Sequence, residues 1–440
     1  MLRVEETMFA KAQRKDGRHW MMRTLDPRRP RPATGQQLVA GNRFTGTALA
    51  SAAATTRIGG KMKAENIGSE RGRGYQRLTW ATPVLLAALI TGCGGAGGDP
   101  DLFGVGTCTN PQTSALEAQM DGLLDEVDSE VDFSFAVDRR DGRRYVFNRG
   151  NSTLQTSYES KSASKLVSAV IILRLVEQGY LTLSDRPQDH ISGWPITGSN
   201  PLTGMNLAQL LSFTSGLQVD PACLENGSSD FESCVITVAE ANDGNGTTPG
   251  QQFFYASAHL QVAGLMAVEA RDLASWQVIV AEFKSQTGLF GASNYDHPSS
   301  SNPSLAGGMH FTGNDYLGFL KALRAGLLLD ATSMGQLLTD HTASIDMVYS
   351  PIFSGIGGGA ALGEDWHYGF GLWHECQSAT FNCAPGTRVS SPGALGTYPF
   401  WDRSKRYSGI VVRAGDFGTL TTGIEIERSV RSSVDQWATC

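Results

Sequence analysis

At 440 residues, 41% hydrophobic and 18% charged, the chain suffices for one large domain or two ordinary ones. It has no apolar run long enough to serve as one span of a multi-pass membrane protein. The net charge of −7 hides an asymmetry: residues 1–92 hold 16 of the 36 Lys+Arg but 6 of the 43 Asp+Glu, leaving 20 against 37, a net −17, in the remainder. So acidic a body argues against nucleic acid as a partner, because phosphate contacts need a basic surface.

Residues 1–61 are rich in Arg, Pro, Ala and Gly, show no sustained period, and read as a disordered or untranslated extension. From Met62 the pattern becomes that of a signal peptide over 62–92. Lys63, Arg71, Arg73 and Arg77 precede the apolar run Val84-Leu85-Leu86-Ala87-Ala88-Leu89-Ile90, which is too short for a stable transmembrane anchor. Ile90-Thr91-Gly92-Cys93 resembles a bacterial lipobox. That resemblance implies Met62 as the start, Cys93 as the lipidated first residue, and a tether over 93–111. The protein would then face the periplasm or cell surface, held in the outer or inner membrane by its lipid. The other reading of the run is a short buried helix at a domain edge.

Setting Cys93 aside leaves six cysteines. Spacing suggests two local loops, Cys223–Cys234 and Cys376–Cys383, and elimination pairs Cys108 with Cys440, although other connectivities stay open in principle. Such usage implies an oxidising compartment. With no C-x-x-C and no histidines clustered with the cysteines, a metal site is not expected.

The folded part is expected from about residue 112. Leu116, Met120, Leu123, Leu124 and Val127 recur at helical spacing. Residues 132–148 read as a hairpin around Asp141-Gly142. A strongly apolar helix follows Ser162 and stops at Gly179, and residues 180–384 read mostly as helices, among them 207–211, 258–270, 275–284 and 316–325. Near the end the period returns to two, giving strand candidates at 388–395, 407–412 and 419–427, the last two separated by an Asp416-Phe417-Gly418 turn, and then a helix over 430–439. Strands at both ends of the chain with helices between imply an α+β fold, one antiparallel five-stranded sheet flanked by helices plus a mostly helical subdomain. The sheet part covers about 112–160 and 385–440, the helical part about 161–384.

Chemistry concentrates at Ser162-Ala163-Ser164-Lys165. A serine followed three residues later by lysine, where a loop becomes a helix, places hydroxyl and ammonium on one face of the first turn. Free N–H groups and the helix dipole favour a developing alkoxide, and burial lowers a lysine pKa towards that of a usable base. The plain alternative is an N-cap serine and a solvated lysine.

Three further passages occur in an order that resembles the serine hydrolases of the β-lactamase and penicillin-binding fold, on the class C β-lactamase and family VIII esterase side. These are Leu210-Leu211-Ser212-Phe213-Thr214-Ser215-Gly216-Leu217, Phe254-Tyr255-Ala256-Ser257, and Ser391-Pro392-Gly393. The resemblance covers about 112–440. It implies Ser162 as nucleophile, Lys165 as proton acceptor, Tyr255 as base towards the deacylating water or acid towards the leaving group, and Ser257 as a hydrogen-bonding partner of Lys165 or substrate. For the oxyanion it implies the backbone N–H groups of Ser162 and Ala394, with Gly393 allowing close backbone approach. Beside Lys165 the Tyr255 phenol is expected to ionise more easily than in water. Thr214-Ser215-Gly216 reads as a structural turn.

The departures are at the third motif. Ser391 stands where penicillin-recognising relatives place Lys or His, and Pro392 removes a donor. Arg388, Arg403, Lys405 and Arg406 lie near enough in sequence to supply a cation instead. The expected activity is therefore cleavage of an ester, or of an amide without an essential carboxylate, with no cofactor. The alternatives are a peptidoglycan D-Ala-D-Ala carboxypeptidase, an endopeptidase, a β-lactamase, or a non-catalytic module binding peptide or cell-wall fragments. A Ser-His-Asp triad using His259, His297, His310, His341, His367 or His374 is disfavoured, since no G-x-S-x-G elbow occurs.

Overall fold

Apolar residues on both sides of a strand mark a sheet covered on two faces, and this pattern organises the molecule. The computed structural model describes residues 108–440. The extension 1–61, the signal peptide 62–92, Cys93 and most of the tether lie outside the described residues.

Helix α1 (Asn110–Asp125) leads into strands β1 (Phe133–Asp138) and β2 (Arg144–Asn148). The hairpin turns at Gly142, whose φ of 89° favours glycine. A 3₁₀ turn, Lys161–Ala163, opens α2 (Ser164–Glu177). This helix is buried from Ser164 to Leu173 and ends as Gly179 at φ 78° lets Tyr180 N–H bond the Leu175 carbonyl. Helix α3 (Ala258–Ala270), apolar all round, packs beside it, and α4 (Gly313–Arg324) lies against the sheet.

The sheet has seven strands rather than five. Its order is β2-β1-β7-β6-β5-β4-β3, where β3 is His367–Tyr368, β4 Trp373–His374, β5 Arg388–Ser390, β6 Tyr398–Asp402 and β7 Tyr407–Arg413. All ladders are antiparallel, and β1 pairs with β7 from Phe133↔Arg413 to Asp138↔Ser408. The two additional short strands fall in the stretch expected to be helical. Each is two residues long, too short for an alternating pattern to register.

Two further expectations at the C-terminal end are corrected. Residues 419–427 are not a strand but the start of helix α5 (Leu420–Thr439). Ile424 and Ile426 mimic alternation, while the buried set Leu420, Ile424, Glu427, Val430, Val434 and Trp437 steps by three and four. The missing strand is β6, obscured by Pro399, a residue that penalises interior strands. Residues 391–395 leave the sheet at Pro392 instead of continuing β5.

Three disulfides tie the fold: Cys108–Cys440 joins its two ends, with Cα atoms 4.8 Å apart, and Cys223–Cys234 and Cys376–Cys383 staple local loops. Helices α1 and α5 pack together beside the first of these bridges.

Candidate active site

The turn carrying Ser162 is over-determined by its surroundings. Ser160 Oγ and Ser164 Oγ lie 2.5 Å apart, Ser160 N–H donates to the Met309 carbonyl at 2.8 Å, and Tyr316 donates to the Ala163 carbonyl at 2.8 Å. Gly393 allows the loop after β5 to close on this turn, for a methyl there would sit 2.3 Å from the Ser160 carbonyl oxygen. Gly371 does the same on the other side: a methyl would meet the Lys165 carbonyl oxygen at 2.5 Å, and φ is 68°. Lys161, next to the serine, is held at φ 43°, a conformation costly for a residue with a side chain.

Ser162 and Lys165 meet at the foot of a cleft of about 200 Å³. Lys165 is 3% exposed, and its Nζ donates to Ser162 Oγ at 2.9 Å and to the Ala306 carbonyl at 2.9 Å. The ammonium stands 4.6 Å from the Tyr255 ring centroid. Burial lowers the Lys165 pKa to about 7, and the field of Asp220 and Glu225, which would raise it, does not compensate. An amine poised between its two protonation states near neutral pH, beside a hydroxyl, is a proton acceptor for that hydroxyl.

Tyr255 shares the cleft, stacked 5.2 Å from Trp373 and packed at 5.5 Å against Phe213. Burial raises its pKa, and interactions with Ser162 and Trp373 only oppose this. The expectation of easier ionisation is thus reversed: the phenol is a proton donor at neutral pH, because its closeness to Lys165 counts for less than its loss of water.

Ser257 is on the cleft wall, but the partners of Lys165 are Ser162 and Ala306. Nor does the Ser257 hydroxyl cap α3: both oxygens of Asp220 accept from Ser257 N–H and Ala258 N–H at 2.9 Å. Ala394 lines the cleft opposite Ser162, and neither N–H is spent on a turn or loop bond with a backbone carbonyl among the described residues. Ser391 is 3% exposed and turns away from the cleft, donating to the Ser162 carbonyl at 3.2 Å and the Gly371 carbonyl at 3.3 Å. It ties the Ser162 turn to the sheet and is not among the residues that line the cleft.

None of the four cations that sequence proximity offered lines the cleft. Arg388 is buried with Glu375, Asp402 and Glu427, Lys405 pairs with Asp435, and Arg403 and Arg406 line a separate hollow. The cation on the wall is Lys161, paired with Glu159 at 2.8 Å. Asp220, Glu225, Ile356 and Phe417 complete the wall. These contributors were hidden in the sequence because they come from loops remote from the serine. Only Lys161, adjacent to the motif, was within reach.

The histidines do other work. His259 is buried, with its Nδ1 2.8 Å from Ser215 Oγ and its Nε2 2.9 Å from the Phe254 carbonyl, and burial drops its pKa to about 3. It braces the Thr214-Ser215-Gly216 turn. His367 pairs with Asp340 at 2.6 Å and His374 is buried beside the Thr339 carbonyl. Among the described residues no group of three or more His, Cys, Asp or Glu side chains is arranged to hold a metal ion.

Comparison with known proteins bears on the fold and the family. Over 134 residues, 30% of this chain and 35% of the relative, the sequence is 28% identical to penicillin-binding protein 4 of Amycolatopsis lactamdurans, so the match spans about a third of that protein's length. Among solved structures, EstCE1, a hydrolase with promiscuous acyltransferase activity, superposes with a TM-score of 0.59 at 17% identity, covering 74% of this chain and 99% of its own. A β-lactamase/D-alanine carboxypeptidase from Yersinia pestis gives 0.57 at 16% identity, with 75% and 99% covered. A β-lactamase-like protein from Bacteroides dorei gives 0.56 at 21% identity, with 73% and 97% covered. The beta-lactamase family itself matches residues 134–419, and with that match over more than half its length the chain belongs to the beta-lactamase family of serine hydrolases.

Proposed function

We propose that the protein hydrolyses an ester, or an amide lacking an essential carboxylate, through an acyl-enzyme on Ser162. One observation carries the reading: a buried lysine, with its pKa brought to about 7, donates to the Ser162 hydroxyl at 2.9 Å and makes no ion pair among the described residues. In its neutral form Lys165 takes the hydroxyl proton as Oγ attacks the substrate carbonyl carbon. The oxyanion is received by the N–H groups of Ser162 and Ala394. As the carbonyl re-forms, the bond to the leaving oxygen or nitrogen breaks and Tyr255 supplies its proton. Water then attacks the acyl carbon and gives a proton to the Tyr255 phenolate; the bond to Ser162 Oγ breaks, Lys165 returns its proton to Oγ, and the acid is released.

The wall chemistry favours a neutral acyl group. Phe417, 58% exposed, and Ile356 offer apolar surface, while Asp220 and Glu225 repel a substrate carboxylate. A second reading, D-alanyl carboxypeptidase, draws on Lys161 as a carboxylate anchor, but its ammonium is already bound by Glu159. We further propose that Cys93 carries a lipid that holds the enzyme to a membrane facing the periplasm. The three disulfides support an oxidising compartment. Mass analysis of the mature N terminus tests that part.

The function is tested by labelling the protein and its Ser162→Ala variant with a fluorescent fluorophosphonate and a fluorescent penicillin, read by intact mass. The expected result is fluorophosphonate labelling that Ser162→Ala abolishes, with kcat/KM for short-chain esters exceeding that for a chromogenic cephalosporin. Rapid penicillin acylation would move the case to the carboxypeptidase. No adduct with either reagent on folded protein would leave a binding module.

A further inference from the structure

The acidic body carries one strongly basic hollow. Beside the β1–β2 and β6–β7 turns, a cleft of about 430 Å³ is lined by Arg140, Lys321, Arg324, Arg403 and Arg406 around Trp401, with no carboxylate among its lining residues. These cations come from three places that the fold brings together: the β1–β2 turn, the last turn of α4, and the β6–β7 turn. Five of the 20 Lys and Arg beyond residue 92 therefore converge here, in a part of the chain whose net charge is −17.

A helix C-terminus accounts for Lys321 and Arg324, whose charges complement the dipole of α4. It does not account for three more arginines from two hairpin turns. Arg324 spends its guanidinium on neutral acceptors, the carbonyls of Asp138 and Arg406 at 3.1 Å and of Arg139 at 3.4 Å, so the hydrogen bonds hold its position without cancelling its charge. The carboxylate whose field reaches it, Asp138, pairs with Arg144 at 2.5 Å. Arg403 donates to the Gly386 carbonyl at 3.0 Å and lies over the Trp401 ring at 5.4 Å, two neutral partners that hold it in the lining of the hollow. Arg406 sits at φ 61°, a strained conformation that the turn keeps. Like charges held this close together repel, and an anion seated among them relieves that repulsion.

We propose that this hollow is a binding site for a compact phosphate ester, separate from the serine cleft. Forked guanidinium groups match the oxygens of a phosphoryl group, and Lys321 adds a point charge at the rim. The surrounding net charge of −17 repels an extended polyanion or an anionic bilayer, so the ligand is small and seats its charge inside the hollow.

The test titrates the full chain with inorganic pyrophosphate, followed by calorimetry and by Trp401 fluorescence, with Trp401→Phe identifying that signal. Saturable binding is expected, weakened at least tenfold in Lys321→Gln/Arg403→Gln and unchanged in Ser162→Ala. Hydrolysis of a short-chain ester by the Lys321→Gln/Arg403→Gln variant is expected to equal that of the wild type. Absence of saturable binding, or equal binding by the double variant, would overturn the proposal. Binding to phosphatidylglycerol vesicles without pyrophosphate binding would also overturn it, in favour of a membrane contact.

Discussion

Two buried cations, Lys165 and Arg388, show how the same burial yields opposite chemistry. Both are nearly excluded from solvent, at 3% and 8% exposure. Arg388 is met by Glu375 at 3.0 Å, Glu427 at 2.8 Å and Asp402 at 3.4 Å, and Arg431 shares Glu427. Burial works against its charge, but these carboxylates outweigh it and hold the guanidinium ionised. Lys165 has a hydroxyl, a carbonyl and an aromatic face, none of which neutralises it, so burial prevails and frees the amine. The partner set separates a charge that fixes sheet to helix from one that burial leaves free to lose its proton.

The sharpest way to break that contrast is at Lys165. Lys165→Ala is expected to lower kcat/KM for a short-chain ester by about 10³–10⁴-fold while the protein stays folded. In the wild type the rate should rise with pH and reach half its plateau near pH 7, where the amine loses its proton. Between that pH and the ordinary lysine value the unfolded chain holds a proton that the folded one lacks. This residue therefore makes stability rise with pH across that window, and Lys165→Met should raise Tm at neutral pH. A flat pH profile, or a destabilised Lys165→Met, would erase the distinction.

Arg388→Met should act the other way. It leaves Glu375 and Glu427 to share Arg431 alone and is expected to cost about 3–5 kcal/mol in urea unfolding, with ester kcat little changed in whatever remains folded. Tyr255→Phe removes a donor but keeps the ring stack. A loss of about 10²–10³-fold in kcat with unchanged Tm would sharpen the assignment of acid, and a loss below about tenfold would remove it. The smallest effect is expected at Ser391→Ala. About 1 kcal/mol of stability and less than about tenfold in kcat/KM would place it with the sheet and not with the substrate.

What the sequence disclosed follows the same division. Ser162 and Lys165 are three residues apart, and local spacing carries their relation; the hairpin at 132–148 and the helices at 207–211 and 258–270 were legible for the same reason. Partner sets were not legible. That Ala306 offers Lys165 a carbonyl, that Asp220 caps α3, and that Ser391 turns inward depend on chain segments dozens to hundreds of residues apart. The ionisation of Tyr255 was misjudged because a sequence shows its charged neighbour and not its missing water. At the C-terminal end Ile424 and Ile426 imitated a strand, and Pro399 disguised one.

The pairing of β1 with β7 also sets a timetable. The ribosome completes the first hairpin long before Tyr407–Arg413 exists to cover its inner edge. Until then the strand Phe133–Asp138, buried along its whole length in the finished protein, presents unpaired backbone groups to any neighbouring chain. The Ser162 turn and most of the cleft wall lie between those two strands in the chain, and Phe417 of the wall follows β7. A truncation short of β7 therefore leaves β1 with an open, sticky edge.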